Sequence, residues 1–481
     1  MIKRAKRGIH SLLPRNAFAR GVSILMGGTI GAQALTMLVA PLLTRLYSPD
    51  DYGLMAVFGS LLMVLGVNAC LRYEMAIPLP EDDQEAAHIV VLCLLIAIGV
   101  SLMAAVVLLV SGPWICERLG VPALVNYLWL LPIGIFLGAG YTVFNAWSVR
   151  TKAYSAIAST RLRQALATML IQVAAYPMGA MALLIASIAG QSIGTMRLAR
   201  KALSGSQFRS VDKPGIKRVA QRYRRFPIYS SWDGLLNTAG REFPPLVFAA
   251  VFGPTATGFY ALAHHVLSKP MALIGGAVGQ VFFANGVEAH RQGTLGILVT
   301  NLHEKLAHIA MPPLALLTLQ GPELFGLVFG AKWEQAGVYA QWMAPWMYLM
   351  CVSSPLSTVL TVLEKQKHTL LFQVMLTSFR VAAVGVGIKM GDMLTTVKLF
   401  SLASVFAYLV LLTMVVRLAG GRLRSCIRAT GMALLVSAIC IMPIGLALIS
   451  EPFKLNMGVY PVVMVISLIA IRYGSIMKQA Y

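Results

Sequence analysis

Apolar stretches of about 20 residues, each long enough to cross a bilayer as a helix, follow one another along almost the whole chain with only short polar gaps. Inside hydrocarbon every backbone N–H and C=O must be paired within the protein, so continuous apolar runs of this length fold as helices. With 481 residues, 58% of them hydrophobic and only 12% charged, the sequence leaves little for a soluble domain. It predicts an all-α polytopic membrane protein of about 14 transmembrane helices. The expected spans lie near residues 21–46, 53–71, 86–111, 122–146, 160–178, 180–198, 226–252, 256–284, 299–319, 335–362, 369–388, 394–416, 428–449 and 457–475.

Charge placement orients these spans. The N-terminal segment carries Lys3, Arg4, Lys6, Arg7, Arg15 and Arg20, and most of the 40 Lys and Arg residues fall in loops on that same side. Only Arg45, Arg118, Lys332, Lys389 and Lys454 fall in the opposite loops, so the positive-inside rule puts both termini in the cytoplasm. One inner segment departs from the pattern, with Glu81, Asp82, Asp83 and Glu85 beside Arg72, but acidic residues weigh little in that rule. A signal peptide ending at Ala32-Gln-Ala34 is the rival reading of the N-terminus, yet the apolar run continues to about Leu43, too long for a signal core. The basic stretch from Arg197 to Arg225 reads as an inner linker that also suits anionic inner-leaflet lipid. The six cysteines are scattered and only Cys116 approaches the outer side, so no disulfide framework is expected.

The chain repeats itself. Leu46-Tyr-Ser-Pro-Asp-Asp-Tyr-Gly-Leu-Met-Ala56 recurs as Val251-Phe-Gly-Pro-Thr-Ala-Thr-Gly-Phe-Tyr-Ala261, each copy following one apolar run and opening the next, as the tight turn of a helical hairpin does. Trp129, Pro132 and Lys152 recur at matching spacing as Trp342, Pro345 and Lys365. The chain thus reads as one membrane unit used twice, with the boundary between halves in the basic stretch after the sixth span, near residue 212.

Ionisable residues at membrane depth need a reason, because a charge at the centre of a span costs about 2.5–3.5 kcal/mol on insertion scales. In the seventh span Ser230, Asp233, Asn237 and Arg241 stand at helical spacing as one polar stripe. Arg241 lies about 22 Å along the axis from Phe226. Glu242 follows it, and Pro244-Pro245 is expected to bend the helix. Thr29, Gln33 and Pro41 occupy the matching places in the first repeat. Asp233 and Arg241 are two turns apart and cannot pair with each other. Either these charges form an internal network with other helices or they face a ligand. Arg72 and Glu74 end the second span, and Arg161, Arg163 and Arg380 sit near or within others. Lys269, Lys398 and His264-His265 are weaker candidates.

Three motifs, Ser48-Pro-Asp-Asp-Tyr-Gly53, Leu71-Arg-Tyr-Glu-Met-Ala-Ile77 and Val328-Phe-Gly-Ala-Lys-Trp-Glu-Gln-Ala-Gly337, resemble those of the Wzx-type oligosaccharide flippases. That family is the polysaccharide transport branch of the MOP superfamily, which also holds the MATE exporters and the lipid II flippase MurJ. The resemblance implies two six-helix lobes around a central cavity, with two further helices. It implies passage of undecaprenyl-pyrophosphate-linked oligosaccharide across the bacterial inner membrane for O-antigen, capsule or exopolysaccharide, beside a polysaccharide polymerase and a chain-length regulator. It also implies a cation-lined cavity, which Arg72 and Arg241 suit and to which Arg161, Arg163 and Arg380 are further candidates.

The chemistry is compatible. Arg offers a planar, permanently charged fork to pyrophosphate oxygens, Gln33 and Asn237 suit a polar cavity, and Glu74, Asp233 and Glu242 are candidates for coupling to a proton or sodium gradient. The segment Gly326 to Lys332 reads GxxxGxK without the Ser or Thr of a Walker motif, so ATP is not expected as a direct driver. Two other classes compete. A MATE-type multidrug exporter would favour acidic over basic cavity residues. A membrane polysaccharide polymerase would carry a large outer loop, whereas all outer loops here are short. No catalytic constellation, metal-ligand cluster, cofactor motif or nucleic-acid stripe is expected.

Overall fold

The computed structural model describes residues 17–449. Among them the chain is helical throughout, without a strand. The helices are α1 (Ala17–Leu46), α2 (Pro49–Gly66), α3 (Asp83–Arg118), α4 (Leu130–Arg150), α5 (Tyr154–Ala174), α6 (Ala180–Leu203), α7 (Lys213–Arg222), α8 (Ser231–Arg291), α9 (Leu295–Phe329), α10 (Glu334–Ser353), α11 (Thr358–Val362), α12 (Gln366–Met390), α13 (Met393–Leu418) and α14 (Leu423–Ile449). Eight helical stretches are long and apolar enough to cross a membrane. Every expected span up to 428–449 falls on a helix or on two helices in succession, and the last, 457–475, lies outside the described residues. Packing divides the chain into two units, one reaching Ala261 and the other starting at Leu262.

In the first unit α1 runs unbroken past Ala34 and packs on α5, where a Cβ on Gly28 would stand 2.5 Å from that of Ala158. The α1–α2 turn takes two residues, because Ser48-Pro-Asp-Asp forms a capping box. The Ser48 hydroxyl accepts from the Asp51 amide and the Asp51 carboxylate accepts from the Ser48 amide at 2.9 Å, while Pro49 occupies the first turn. The second copy of the motif opens with Gly253 (φ 82°, ψ 174°), a backbone region open only to glycine, and this is where α8 divides into two helices. The helix runs on through Pro244-Pro245, and the non-helical residue inside α8 is Gly253, nine positions after Pro244.

The two copies of the motif touch. A Cβ on Gly53 would lie 1.9 Å from the Pro254 carbonyl oxygen, and one on Gly258 would lie 1.9 Å from that of Pro49. Thr255 donates to Asp50 across the same crossing at 2.5 Å. The repeated Pro and Gly therefore have one physical origin, a reciprocal backbone crossing that no side chain larger than hydrogen permits.

The second repeated anchor differs by one residue from the sequence pairing. After α4, Thr151, Lys152 and Ala153 donate to Trp147, Val149 and Ser148. After α11, Leu363, Glu364 and Lys365 donate to Val359, Thr361 and Leu360 in the same pattern. Lys152 (φ 54°) thus corresponds to Glu364 (φ 55°), the residue before Lys365. Both are helix ends of Schellman type, and the same pattern closes with glycine at Gly120, Gly293 and Gly420.

The basic linker is a docked element. Asp212 caps α7 and accepts from the Gly215 amide at 2.9 Å while meeting His88 Nε2 at 3.0 Å. Those two hydrogen bonds, His88 first, hold its carboxyl below the usual carboxylate range. Arg222 reaches both oxygens of Glu85 at 2.8 and 2.9 Å, Tyr73 donates to the Ala220 carbonyl, and Gln84 to that of Ser210. Arg150 pairs with Asp83 at 2.9 Å. The acidic run that stood out in the charge count is thus the dock for the linker and for the end of α4. All six cysteines are free thiols.

In the second unit α9 and α10 cross at a mutual glycine contact: a Cβ on Gly321 would lie 2.4 Å from the Gly337 carbonyl, and one on Gly337 2.3 Å from that of Gly321. Trp333, inside the Val328–Gly337 motif, is fully buried beside this crossing. The ring of Trp346 stacks on Tyr408 at 6.2 Å and meets Phe400 edge-on, joining α10 to α13.

Gly53→Ala and Gly258→Ala are each expected to lower the unfolding midpoint of the detergent-solubilised protein, because the added methyl displaces backbone rather than a flexible side chain, a cost of about 1–3 kcal/mol. Gly59→Ala, on the same helix with open space around it, is expected to be neutral or mildly stabilising. Equal effects at all three positions in a thermal-shift measurement would contradict the crossing.

Candidate functional site

Beyond the glycine crossing, α2 and the first half of α8 run antiparallel. Ser60 donates to the Glu242 carboxylate at 3.0 Å, and Asn68 Nδ2 to the Ser231 carbonyl at 3.2 Å. The polar face of α8 that contains Ser231, Gly234 and Glu242 is therefore turned to α2. Glu242 is held by this hydroxyl and makes no ion pair among the described residues.

Past the end of α2 the chain places Leu71 (φ 48°) and Arg72 (φ 63°) consecutively in the left-handed region, which costs about 1–2 kcal/mol for each residue that carries a side chain. This turn lays the Arg72 guanidinium on the backbone of α8 at Gly234, where a Cβ would come within 2.9 Å of Nε. Glu74, on the 3₁₀ turn that follows, is 9% exposed and approaches Arg72 at 3.8 Å. Burial lifts its carboxyl above the usual carboxylate range, opposed by a backbone hydrogen bond and by Arg72. Asn68 Oδ1, Arg72 Nε, Glu74 Oε2 and Ser231 Oγ are buried here without a hydrogen-bond partner. Such groups ordinarily find one, so this cluster holds unused hydrogen-bonding capacity between α2 and α8. A π-helical turn, Phe226–Ser230, leads into it.

One face along α8, Asp233, Asn237 and Arg241 form the stripe expected from their spacing. All three are exposed, and none makes a hydrogen bond or ion pair among the described residues. Trp232 and Leu236, 65% and 72% exposed, occupy a further face. The structure thus separates the acidic candidates. Glu74 and Glu242 are engaged on the α2 side, while Asp233 stands on the open stripe with Arg241.

The remaining candidates fall elsewhere. Arg161 on α5 donates to the Thr29 hydroxyl of α1, Arg163 is exposed without a partner among the described residues, and Gln33 is half-buried on α1. Arg380 belongs to the second unit. It donates to Ser404 at 2.9 Å and lies 4.9 and 4.8 Å over the rings of Trp346 and Phe400, so an aromatic box fixes it. Lys398 stands 4.8 Å over Trp342. His264 and His265 splay apart, with ring centroids 6.4 Å from each other. No group of three metal-ligating side chains occurs among the described residues. Sequence reasoning missed Ser60, Asn68, Ser231 and Gly234, which are ordinary small or polar residues. Their signal is the pairing of α2 with α8, which becomes visible only once the helices are placed side by side.

The fold of the chain has counterparts among solved structures. The fold is similar to the lipid II flippase MurJ in an inward closed conformation, with a TM-score of 0.72 at 10% identity over 95% of this chain and 99% of that one. It is also similar to an inward-facing multidrug resistance MATE family transporter of the MOP superfamily, with a TM-score of 0.54 at 14% identity over 82% of this chain and 94% of the other. A MOP superfamily transporter from Pyrococcus furiosus, described as having a binding pocket of reverse polarity, gives 0.51 at 13% identity over 84% of this chain and 96% of that one. No curated protein matches by sequence. The sequence profile of the polysaccharide biosynthesis proteins matches residues 42–337, more than half of the chain, and the protein belongs to that family.

Proposed function

We propose that this protein is a flippase that moves an undecaprenyl-pyrophosphate-linked oligosaccharide across the bacterial inner membrane by alternating access, with both termini in the cytoplasm. The observation that carries this reading is the exposed stripe of Asp233, Asn237 and Arg241 on a helix at membrane depth. An unpaired Arg and Asp facing hydrocarbon would be prohibitively placed, so the stripe faces water and polar solute. Family membership supplies the polysaccharide context, and the MurJ-like fold suits a lipid-linked substrate. The cation presented there matches a pyrophosphate better than it matches the cationic drugs of a multidrug exporter.

In this reading Arg241 and Arg72 meet the pyrophosphate, with Arg161 and Arg163 as further candidate cations. Gln33 and Asn237 meet sugar hydroxyls, and the prenyl chain stays in lipid. The protein performs no covalent chemistry and uses no cofactor. A polymerase and a chain-length regulator act on the delivered unit. The lobes are residues 1–212 and 213–418, with 419–481 as the added helix pair. Glu74, Asp233 and Glu242 are the candidates for ion coupling. Glu74 is favoured among them because its buried carboxyl takes up a proton more readily than an ordinary one and faces Arg72.

Two measurements test this. In vesicles reconstituted with a fluorescent undecaprenyl-pyrophosphate oligosaccharide, the wild type is expected to flip substrate. Arg241→Ala is expected to lose about 10- to 100-fold in rate at subsaturating substrate while keeping its thermal midpoint, as the loss of one charge-assisted contact implies. Export of a cationic dye without any flipping would overturn the assignment. In the same assay, wild-type flipping is expected to change as pH falls through the raised titration of Glu74, whereas Glu74→Gln, fixed in a form that mimics the protonated one, is expected to give a flat profile. A pH profile that survives this substitution unchanged would remove Glu74 from the coupling step.

A further inference from the structure

The linker helix α7 is amphipathic, and only one of its faces is used inside the protein. Gly215 and Val219 are buried against the first unit, with Ile216, Ala220 and Tyr223 half-buried beside them. The dock described above, Asp212 with His88 and Arg222 with Glu85, fixes the rotation of the helix about its axis. The opposite face carries Lys213, Lys217, Arg218 and Gln221, and the chain continues into Arg224 and Arg225, all exposed. None of these basic side chains has an acidic partner among the described residues, since Glu85 and Asp83 are taken by Arg222 and Arg150.

This face lies where the chain enters and leaves the membrane-spanning part. The preceding helix α6 ends with exposed Arg197, Arg200 and Lys201 beside exposed Ile193 and Met196. The following segment opens with Tyr229 and Trp232, 69% and 65% exposed. Amphipathic aromatic rings beside cations are the signature of a membrane–water boundary. Cations grouped on α7 and the turn after it match a plane of phosphates, and each such charge near an anionic leaflet strengthens association about fivefold.

We infer that the outward face of α7, through Lys217 and Arg218, together with Arg224 and Arg225 just after it, is a docking surface for the anionic phospholipid headgroups of the adjoining leaflet. Its other side is held by Glu85 on Arg222 and by His88 on Asp212, so lipid charge and protein charge grip the same helix from opposite sides. The surface is independent of the transported substrate and adds a dependence of linker order on membrane composition.

The test places the full-length protein in nanodiscs of pure phosphatidylcholine or of phosphatidylcholine with about one-third phosphatidylglycerol, a fraction chosen to mimic an anionic leaflet, and follows hydrogen exchange across residues 213–225. Phosphatidylglycerol is expected to slow exchange there severalfold, less so at high salt. The variant Lys217→Gln/Arg218→Gln/Arg224→Gln/Arg225→Gln is expected to abolish the slowing, and the charge-preserving Lys217→Arg/Arg218→Lys/Arg224→Lys/Arg225→Lys is expected to keep it. Equal exchange in both lipids would overturn the inference. So would slowing that persists in the glutamine variant, or equal slowing by inorganic phosphate added to pure phosphatidylcholine discs, which would assign the face to soluble anions. Flipping activity does not enter the measurement, so its outcome is separate from that of the proposed function.

Discussion

The contact on which the first unit depends is the approach of two backbones without side chains between them. Lipid tails are as apolar as the helix surfaces they would replace, so burial alone gives membrane helices little reason to associate, and close packing with polar contacts must supply it. At Gly53 and Gly258 each helix presents its glycine to the other's proline carbonyl, and Asp50 with Thr255 closes the edge. From this fixed point α2 descends along the first half of α8. That descent decides which face of α8 is covered, bringing Glu242 to Ser60 and Ser231 to Asn68, and leaving Asp233, Asn237 and Arg241 open.

Much of this was legible in the sequence because the membrane imposes strong rules. Span positions follow from hydropathy, and the turn at Ser48 follows from a capping box whose residues are adjacent in the chain. The repeat of Pro49 and Gly53 as Pro254 and Gly258 was visible as a pattern, but its cause was not, since nothing in the sequence says that the two copies touch. Local geometry also hid the one-residue slip between Lys152 and Glu364. Identity suggested lysine with lysine, whereas the structure aligns backbone conformation and leaves the side chain free to differ.

The site was legible only in part, for a related reason. Helical spacing grouped Ser230, Asp233, Asn237 and Arg241 as one stripe; the last three are exposed on α8, while Ser230 is half-buried in the π-helical turn before it. Glu242, the next residue, points about 100° away from Arg241, and spacing alone could not name its partner Ser60, which comes from a helix 182 residues distant. Arg72 was recognised as a cation at a span end, where snorkelling to the headgroups is the ordinary outcome. What sets its direction is a pair of left-handed residues and a glycine opposite, Gly234, and neither follows from composition. Likewise the acidic run at 81–85 looked like an exception to the charge rule until the linker was seen resting on it.

The pairing of α2 with α8 also sets a timetable. Ser60 and Glu242 meet across 182 residues of chain, and at the ordinary pace of synthesis that interval takes about 10–40 s. Throughout it α2 sits in the bilayer with Gly53, Ser60 and Asn68 facing whatever neighbour is at hand, and its two-residue turn with α1 is the long-lived contact. The first unit is thus an assembly whose keystone arrives last. Its early helices must be tolerable to lipid while incomplete, which accounts for how sparingly polar groups are spent along α2, where Ser60 is the one polar side chain between Gly53 and Gly66.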